Sequence, residues 1–216
     1  EAMRWLKDKV FCHVYGEKVG DGVYPSMTKE AFVGFYNQEG HGKRLPNYKL
    51  QDHFDRLKTY YYFSSPNKTA EFALVMIDID VLKTKMLGSP EGARKFAAYL
   101  QTWFPNLYVE ASTGGKGQHA YMLVRKLGHS AEEVKAALKH LEKWLRQQAK
   151  GHDIEIVEVK GTPPVVKYRD GGTIETITYG SFAKLPREVG RFAEWTNTTT
   201  MTVAELLALP LVEEVA

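Results

Sequence analysis

Two aspartates, Asp78 and Asp80, lie one residue apart in the apolar run of residues 72–81. The run is short and rich in Val and Ile, which predicts a β-strand. Because side chains alternate along a strand, both carboxylates lie on one face, roughly 6–7 Å apart at the backbone. Like charges this close repel each other and should shift each other's pKa. A divalent cation between them would remove the repulsion and prefers oxygen ligands, which makes the pair a candidate metal site. The alternative is that both carboxylates face solvent at the end of a strand.

A glycine-rich loop lies between two later predicted strands. It reads Ala-Ser-Thr-Gly-Gly-Lys-Gly-Gln-His over residues 111–119. Glycines let backbone amides approach a bound anion closely, and Lys116 adds a positive charge. His119 opens the next predicted strand, where it could hold a phosphate oxygen or a sugar hydroxyl. The loop is not a Walker A loop, because the GxxxxGK[ST] spacing is absent and a strand follows. A tight hairpin turn with an exposed lysine is the alternative interpretation.

These residues need a scaffold, and the sequence predicts one in which helices and strands alternate. The clearest helix is predicted at 130–150, where Ser130 and Glu133 form a capping box. A segment at 46–63 predicts a helix that runs toward a strand, and 173–186 predicts a hairpin with an irregular segment. The other predicted elements are helices at 28–37 and 89–104 and strands at 72–81, 107–112, 119–125 and 153–160. This alternation predicts an α/β (α+β) fold.

The composition limits the classes of function. The chain has 216 residues, 44% hydrophobic and 25% charged, which is ordinary for a globular protein. No apolar stretch approaches the ~20 residues that span a bilayer, so no membrane association is expected. Cys12 is the only cysteine, which predicts a reducing, cytoplasmic location and no cysteine-based zinc site. A net charge of +3 means that nucleic-acid binding must come from local patches.

Three motifs in this order resemble those of the archaeo-eukaryotic primase superfamily, which includes primase-polymerases of phages, plasmids and other mobile elements. They are "IDID" at 77–80, "TGGKGQH" at 113–119 and the glutamate of "IVEVKG" at 156–161. The resemblance covers about residues 60–190. It implies the family's fold, a mixed central sheet with an RRM-like half flanked by helices. It further implies one catalytic domain over 1–200, made of an N-terminal α/β part (1–60) and a core with the three motifs (61–200). Residues 201–216 would be a C-terminal helix or the start of a linker.

The resemblance also implies which residues form the site. Asp78, Asp80 and Glu158 would be the catalytic ligands of two Mg²⁺ or Mn²⁺ ions. Glu155 is the runner-up for the third acid. Its odd offset from Glu158 puts the two glutamates on opposite faces of a regular strand, so only one of them can be the ligand. Glu158 is preferred because "VEVKG" resembles the motif of mobile-element members. The nucleotide-binding residues would be Thr113, Gly114, Gly115, Lys116, Gly117 and His119.

The implied function is that of a DNA-directed primase/polymerase, a template-dependent nucleotidyltransferase. It would synthesise or extend a primer on single-stranded DNA from nucleoside triphosphates, with a helicase or another replication protein as a further partner. Lys83 and Lys85 follow the acidic pair and are candidate nucleic-acid contacts. One alternative is a non-catalytic RRM-like nucleic-acid-binding module, which would expose aromatic residues on its central strands. Another is a nucleotide cyclase, although the usual glycine-glycine turn bearing acids is absent.

Overall fold

The computed structural model describes residues 1–5, 12–19, 22–25, 50–64, 70–80, 90–152, 154, 156–172, 174–178 and 181–213. The helix predicted at 28–37 lies outside these residues, as do Glu155, Lys83 and Lys85. The described residues form an α+β fold, with a mostly antiparallel sheet and flanking helices.

Most of the predicted elements are confirmed, with small differences at their ends. The described helices are α1 Ala2–Trp5, α2 Leu50–Phe54, α3 Pro90–Trp103, α4 Ala131–Lys150, α5 Phe192–Thr196 and α6 Val203–Leu207, and a 3₁₀ turn spans Val189–Arg191. The described strands are β1 Cys12–Val19, β2 Gly22–Pro25, β3 Tyr60–Ser64, β4 Phe72–Asp80, β5 Tyr108–Ala111, β6 Gln118–Arg125, β7 Ile156–Lys160, β8 Val165–Tyr168, β9 Ile174–Thr178, β10 Ala183–Lys184 and β11 Thr200–Thr202. Among these helices, none has the length and apolar character needed to cross a membrane.

The strand with the two aspartates, β4, is at the centre of a five-stranded sheet. It pairs antiparallel with β6 on one side and with β7 on the other. On the side of β6 that faces away from β4, two strands pair with it. β5 pairs antiparallel with β6, and β11 pairs parallel with it. The chain order β4-α3-β5-β6-α4-β7 with the spatial order β7-β4-β6-β5 is the β-α-β-β-α-β arrangement of ferredoxin-like folds.

The larger core lies on one face of this sheet, under α3 and α4. Alternation along β4 directs Ile77 and Ile79 to this face, where both are fully buried. The predicted capping box of α4 is confirmed, since Ser130 Oγ accepts from the amide of Glu133 while the Glu133 carboxylate accepts from the amide of Ser130. Because one face of β4 is covered in this way, its aspartates must project from the other face.

That other face packs toward a second sheet, ordered β10-β3-β1-β2. A smaller core joins the two sheets, and the Tyr62 hydroxyl donates to the Leu74 carbonyl within it. Gly161 follows β7 at this junction with φ +86°, and a Cβ there would lie 2.8 Å from the Leu74 oxygen. Only glycine fits such a conformation and such a close approach, which explains the glycine that follows "EVK".

The hairpin is placed differently from the prediction. It was expected within 173–186, but β9 pairs with the preceding strand β8, and β10 pairs with β3 instead. The turn between β8 and β9 contains Asp170, Gly171 and Gly172, and both glycines have positive φ. An Asp-Gly pair is a strong hairpin signal, so the local sequence did contain the correct position of the turn.

Candidate functional site

Adjacent strands bring the predicted acids and the histidine into one row. In the register of the sheet, Asp78 of β4 lies opposite His119 of β6 and also opposite Glu158 of β7. Glu110 of β5 lies opposite His119 and extends the row by one strand. Side chains that face each other across antiparallel strands share a face. Glu158 therefore lies on the face that carries Asp78 and Asp80, away from α3 and α4.

A lysine that was not singled out from the sequence lies between two of the acids. Lys160 Nζ is 2.8 Å from Asp78 Oδ2 and 3.3 Å from Glu158 Oε2. Burial acts to lower the pKa of Lys160, but the charges of the two carboxylates outweigh it and raise that pKa above its ordinary value. Lys160 is therefore a cation at neutral pH, and its ammonium offsets the charge of both acids.

The expected repulsion between the two aspartates does not dominate at Asp78. Burial alone would raise the pKa of this carboxyl, but contacts with His119 and Lys160 lower it from 3.8 to about 2. His119 Nε2 is 3.4 Å from Asp78 Oδ1. Asp80 lies at the exposed end of β4, where water screens its charge. The pair is thus asymmetric, with Asp78 held by cationic and polar neighbours and Asp80 at the solvent edge.

The glycine-rich loop is held against the end of β4. A Cβ at Gly117 would lie 2.5 Å from the Ile79 oxygen and 3.5 Å from the Asp80 Cα, so no other residue fits without a shift. The Gly117 amide donates to Ser112 Oγ at 3.0 Å, which closes the loop on itself. The structure thus places the loop beside the acidic pair, as the candidate site requires.

Two of the three glycines in the loop form its turn through their backbone amides. The Gly115 amide donates to the Ser112 carbonyl at 2.8 Å, and Gly115 has φ +71°. Two of the amides expected to hold phosphate, those of Gly115 and Gly117, are therefore used to form the turn. Thr113, Gly114, Gly115 and Lys116 are exposed beside the acids. The Lys116 ammonium and the Thr113 hydroxyl are the side-chain donors that the loop presents.

Next to His119 is a buried polar group that the sequence analysis did not single out. The Glu110 side chain is buried, and its Oε2 accepts from the Tyr108 hydroxyl at 2.8 Å and the Arg187 amide at 3.1 Å. Glu110 Oε1 and His119 Nδ1 are both buried and have no hydrogen-bond partner among the described residues. Buried polar atoms in folded proteins nearly always have a partner, so these two atoms mark an incomplete hydrogen-bond network beside Asp78.

The second sheet contributes the other wall of the site. Burial raises the pKa of Tyr61 in β3, while the charges of Lys160 and Asp78 act on it in opposite directions. Beyond β10, the Arg187 guanidinium donates to the Thr59 hydroxyl at 2.6 Å, just before β3. The charges of Asp78 and Lys160 thus act on Tyr61 of the second sheet, and Arg187 contacts Glu110 at the other end of the row.

The sequence contained signals for both residues that were missed. Lys160 is two positions from Glu158 on the same strand, so alternation alone puts it on the same face. Glu110 alternates with Val109 in a short strand, which places an acid on a face that otherwise packs inward. The partners of both residues come from other strands, which is why local patterns did not single them out.

The carboxylate oxygens of the row are the candidate donor set for a metal ion. Within the part of the chain that the structure describes, no group of three or more His, Cys, Asp and Glu side chains is gathered as a metal site. Asp78 and Glu158 nevertheless both contact one ammonium, so a single cation can lie between them. Their hard oxygen atoms, with those of Asp80 at the strand end, suit Mg²⁺ or Mn²⁺. The residues therefore fit a divalent ion, provided that the lysine moves aside.

Comparison with known proteins adds nothing to this geometry. No protein-family model matches the sequence, and no curated protein matches it.

Proposed function

We propose that this protein is a template-dependent nucleotidyltransferase, a primase-polymerase that synthesises or extends a primer on single-stranded DNA. The observation that carries the proposal is the row of His119, Asp78 and Glu158 across three adjacent strands. These residues come from the three motifs by which the sequence resembles the archaeo-eukaryotic primase superfamily. Asp78 and Glu158 lie 80 residues apart in the chain (158 minus 78). If the motifs resembled those of the family only by chance, there would be no reason for their side chains to meet on one face of the sheet.

The architecture also supports this proposal. A primase-type catalytic core needs an RRM-like half whose central strand carries the acids, and the ferredoxin-like order around β4 suits that half. The helices cover one face of the sheet and leave the acidic face turned toward the second sheet. Substrate would therefore enter between the two sheets, at the end of β4 where Asp80 is exposed.

In the proposed reaction, the 3′-hydroxyl of the primer loses its proton to water, and its oxygen bonds to the α-phosphorus of a nucleoside triphosphate. The bond from that phosphorus to the bridging oxygen breaks, and pyrophosphate leaves. Asp78, Asp80 and Glu158 would hold two Mg²⁺ or Mn²⁺ ions. When bound, such a pair of ions stabilises both the attacking and the leaving oxygen.

Other residues of the site would orient the triphosphate. Lys116 is exposed beside the acids and supplies a positive charge for the β- and γ-phosphates. His119 Nε2 contacts Asp78 Oδ1 at 3.4 Å, so it would donate to a phosphate oxygen or a sugar hydroxyl by exchanging that contact. Gly117 lets the loop pack against β4, which places the backbone that carries Lys116 beside the end of the acidic strand. Preorganised donors of this kind contribute on the order of a few kcal/mol each to a transition state.

A non-catalytic RRM-like module fits the structure less well. Such a module stacks bases on exposed aromatic rings of its central strands. In the described part of the chain, Tyr121 on β6 is fully buried, and the large exposed hydrophobic residues lie outside β4 and β6. The accessible end of the central strand carries carboxylates, which repel a phosphate backbone unless a metal ion is bound.

The experiment that tests the proposal is incubation of the protein with single-stranded DNA, labelled nucleotides and Mg²⁺ or Mn²⁺, with and without an annealed primer. Product without a primer would identify a primase, and product only with a primer would identify a polymerase. Absence of product under both conditions, with folded protein and with ribonucleotides and deoxyribonucleotides each supplied, would refute the proposal.

A further inference from the structure

We propose that Lys160 is an internal cation that occupies the place between Asp78 and Glu158, so that a divalent ion must displace its ammonium in order to bind. The ammonium contacts one oxygen of each acid, at 2.8 and 3.3 Å. This inference rests on the proposed function, because it assumes that these two carboxylates are metal ligands.

The position of Lys160 follows from the strand itself. Glu158 and Lys160 are two residues apart in β7, so both side chains project from the same face beside β4. Asp78 lies opposite Glu158, and Met76 lies opposite Lys160. The ammonium reaches diagonally across to Asp78, which is within range for a long side chain in an antiparallel pair. A regular strand therefore suffices to bring the three charges together.

An ammonium is suited to temporary occupation of such a place. It is a point charge on a flexible four-carbon stem, and its three donors impose little geometry. The Lys160 side chain is 28% exposed, so part of it already contacts solvent. An arginine would instead bind the carboxylates through a rigid fork and would be harder to displace. In the metal-free protein, the lysine removes the repulsion that two facing acids would otherwise produce.

Competition with a divalent ion is the consequence. Binding of the ion breaks two charge-assisted contacts of Lys160 and leaves a positive charge close by. Both effects weaken metal affinity relative to a site without the lysine. We expect Lys160→Met, which keeps most of the stem and removes the charge, to bind Mn²⁺ about tenfold more tightly or better.

The test is a titration of metal-free protein with Mn²⁺ by isothermal calorimetry, for the wild type, Lys160→Met and Lys167→Met. Lys167 is an exposed lysine in β8, and its replacement removes the same charge away from the acids. The expected result is tighter binding by Lys160→Met alone. Equal or weaker binding by Lys160→Met, with Mn²⁺ still binding the wild type, would overturn this inference and leave the proposed function standing. Absence of Mn²⁺ binding to the wild type would overturn both.

A second measurement follows the Lys160 ammonium itself in the wild-type protein. In ¹⁵N-lysine NMR of metal-free protein, an ammonium held by two carboxylates exchanges its protons slowly enough to give a signal. That signal, assigned by its loss in Lys160→Arg, should disappear when Mg²⁺ is added. If the signal persists unchanged while Mg²⁺ binds, the lysine does not leave the acids and the inference is wrong.

Discussion

Replacement of Asp78 by asparagine should destabilise the metal-free protein, and this effect should depend on pH. The pKa of Asp78 is lowered from 3.8 to about 2 because His119 and Lys160 contact its carboxylate, although burial opposes them. A shift of one unit corresponds to 1.36 kcal/mol, so the ionised carboxylate stabilises the fold by roughly 2 kcal/mol. Asparagine keeps the shape but lacks the charge, so Asp78→Asn should lose most of this free energy at pH 7.

The sign of the pH dependence follows from linkage. Because the folded-state pKa is the lower one, the stabilisation is fully present above about pH 4 and is lost as the pH falls toward 2. The stability difference between the wild type and Asp78→Asn should therefore be constant from pH 7 to 5 and should close between pH 4 and 2.

Urea unfolding in EDTA at several pH values measures this difference. With an ordinary urea dependence of about 1–3 kcal/mol per molar, the midpoint at pH 7 should fall by roughly 1 M. Asp170→Asn removes an exposed carboxylate in the β8–β9 turn and should change stability by less than about 0.5 kcal/mol. If Asp78→Asn is as stable as the wild type at pH 7, repulsion between the acids outweighs the contacts with Lys160 and His119, and the electrostatic argument is wrong.

Three further predictions concern the loop and the third acid. Lys116→Ala should weaken binding of a nucleoside triphosphate about ten- to a hundredfold in a titration with Mg²⁺, and should leave single-stranded DNA affinity nearly unchanged; equal losses for both ligands would argue against a phosphate role. Gly117→Ala should lower stability by roughly 1–3 kcal/mol in urea and reduce nucleotide affinity, because its Cβ would meet the backbone of β4. Gly115→Ala should lower the free energy of unfolding by only about 1 kcal/mol, because Gly115 has a positive φ. Equal losses of stability for the two glycine variants would contradict the close packing of Gly117 against β4. Glu158→Gln should abolish nucleotide incorporation and Glu155→Gln should not, and the reverse result would move the third ligand to Glu155.

Periodicity predicted much of what positions the candidate site. Alternation in the run 72–81 placed Asp78 and Asp80 on one face, and the offset between Glu155 and Glu158 showed that only one of them could share that face. The capping box of Ser130 and Glu133 marked the start of α4. These features follow from one segment at a time, which is why the sequence was sufficient for them.

Pairings between distant segments could not be predicted in this way. β10 pairs with β3 across more than a hundred residues, and no local pattern specifies that pairing. The same limitation applies to the pKa of Asp78, because its neighbours Lys160 and His119 come from two other strands. The repulsion argument considered only the two aspartates, whereas the pKa depends on every charge that the fold brings near.

Primer extension by the wild type and by the double variant Asp78→Ala, Asp80→Ala is the decisive test of the proposed function. Both proteins would be assayed on the same primed single-stranded template with Mg²⁺ or Mn²⁺, with Asp170→Ala as the control and circular dichroism to verify folding at the assay temperature. We expect labelled extension product from the wild type and the control, and none from the folded double variant. Extension by the double variant at a rate near that of the wild type would contradict the assignment of the acids, and with it the proposed function.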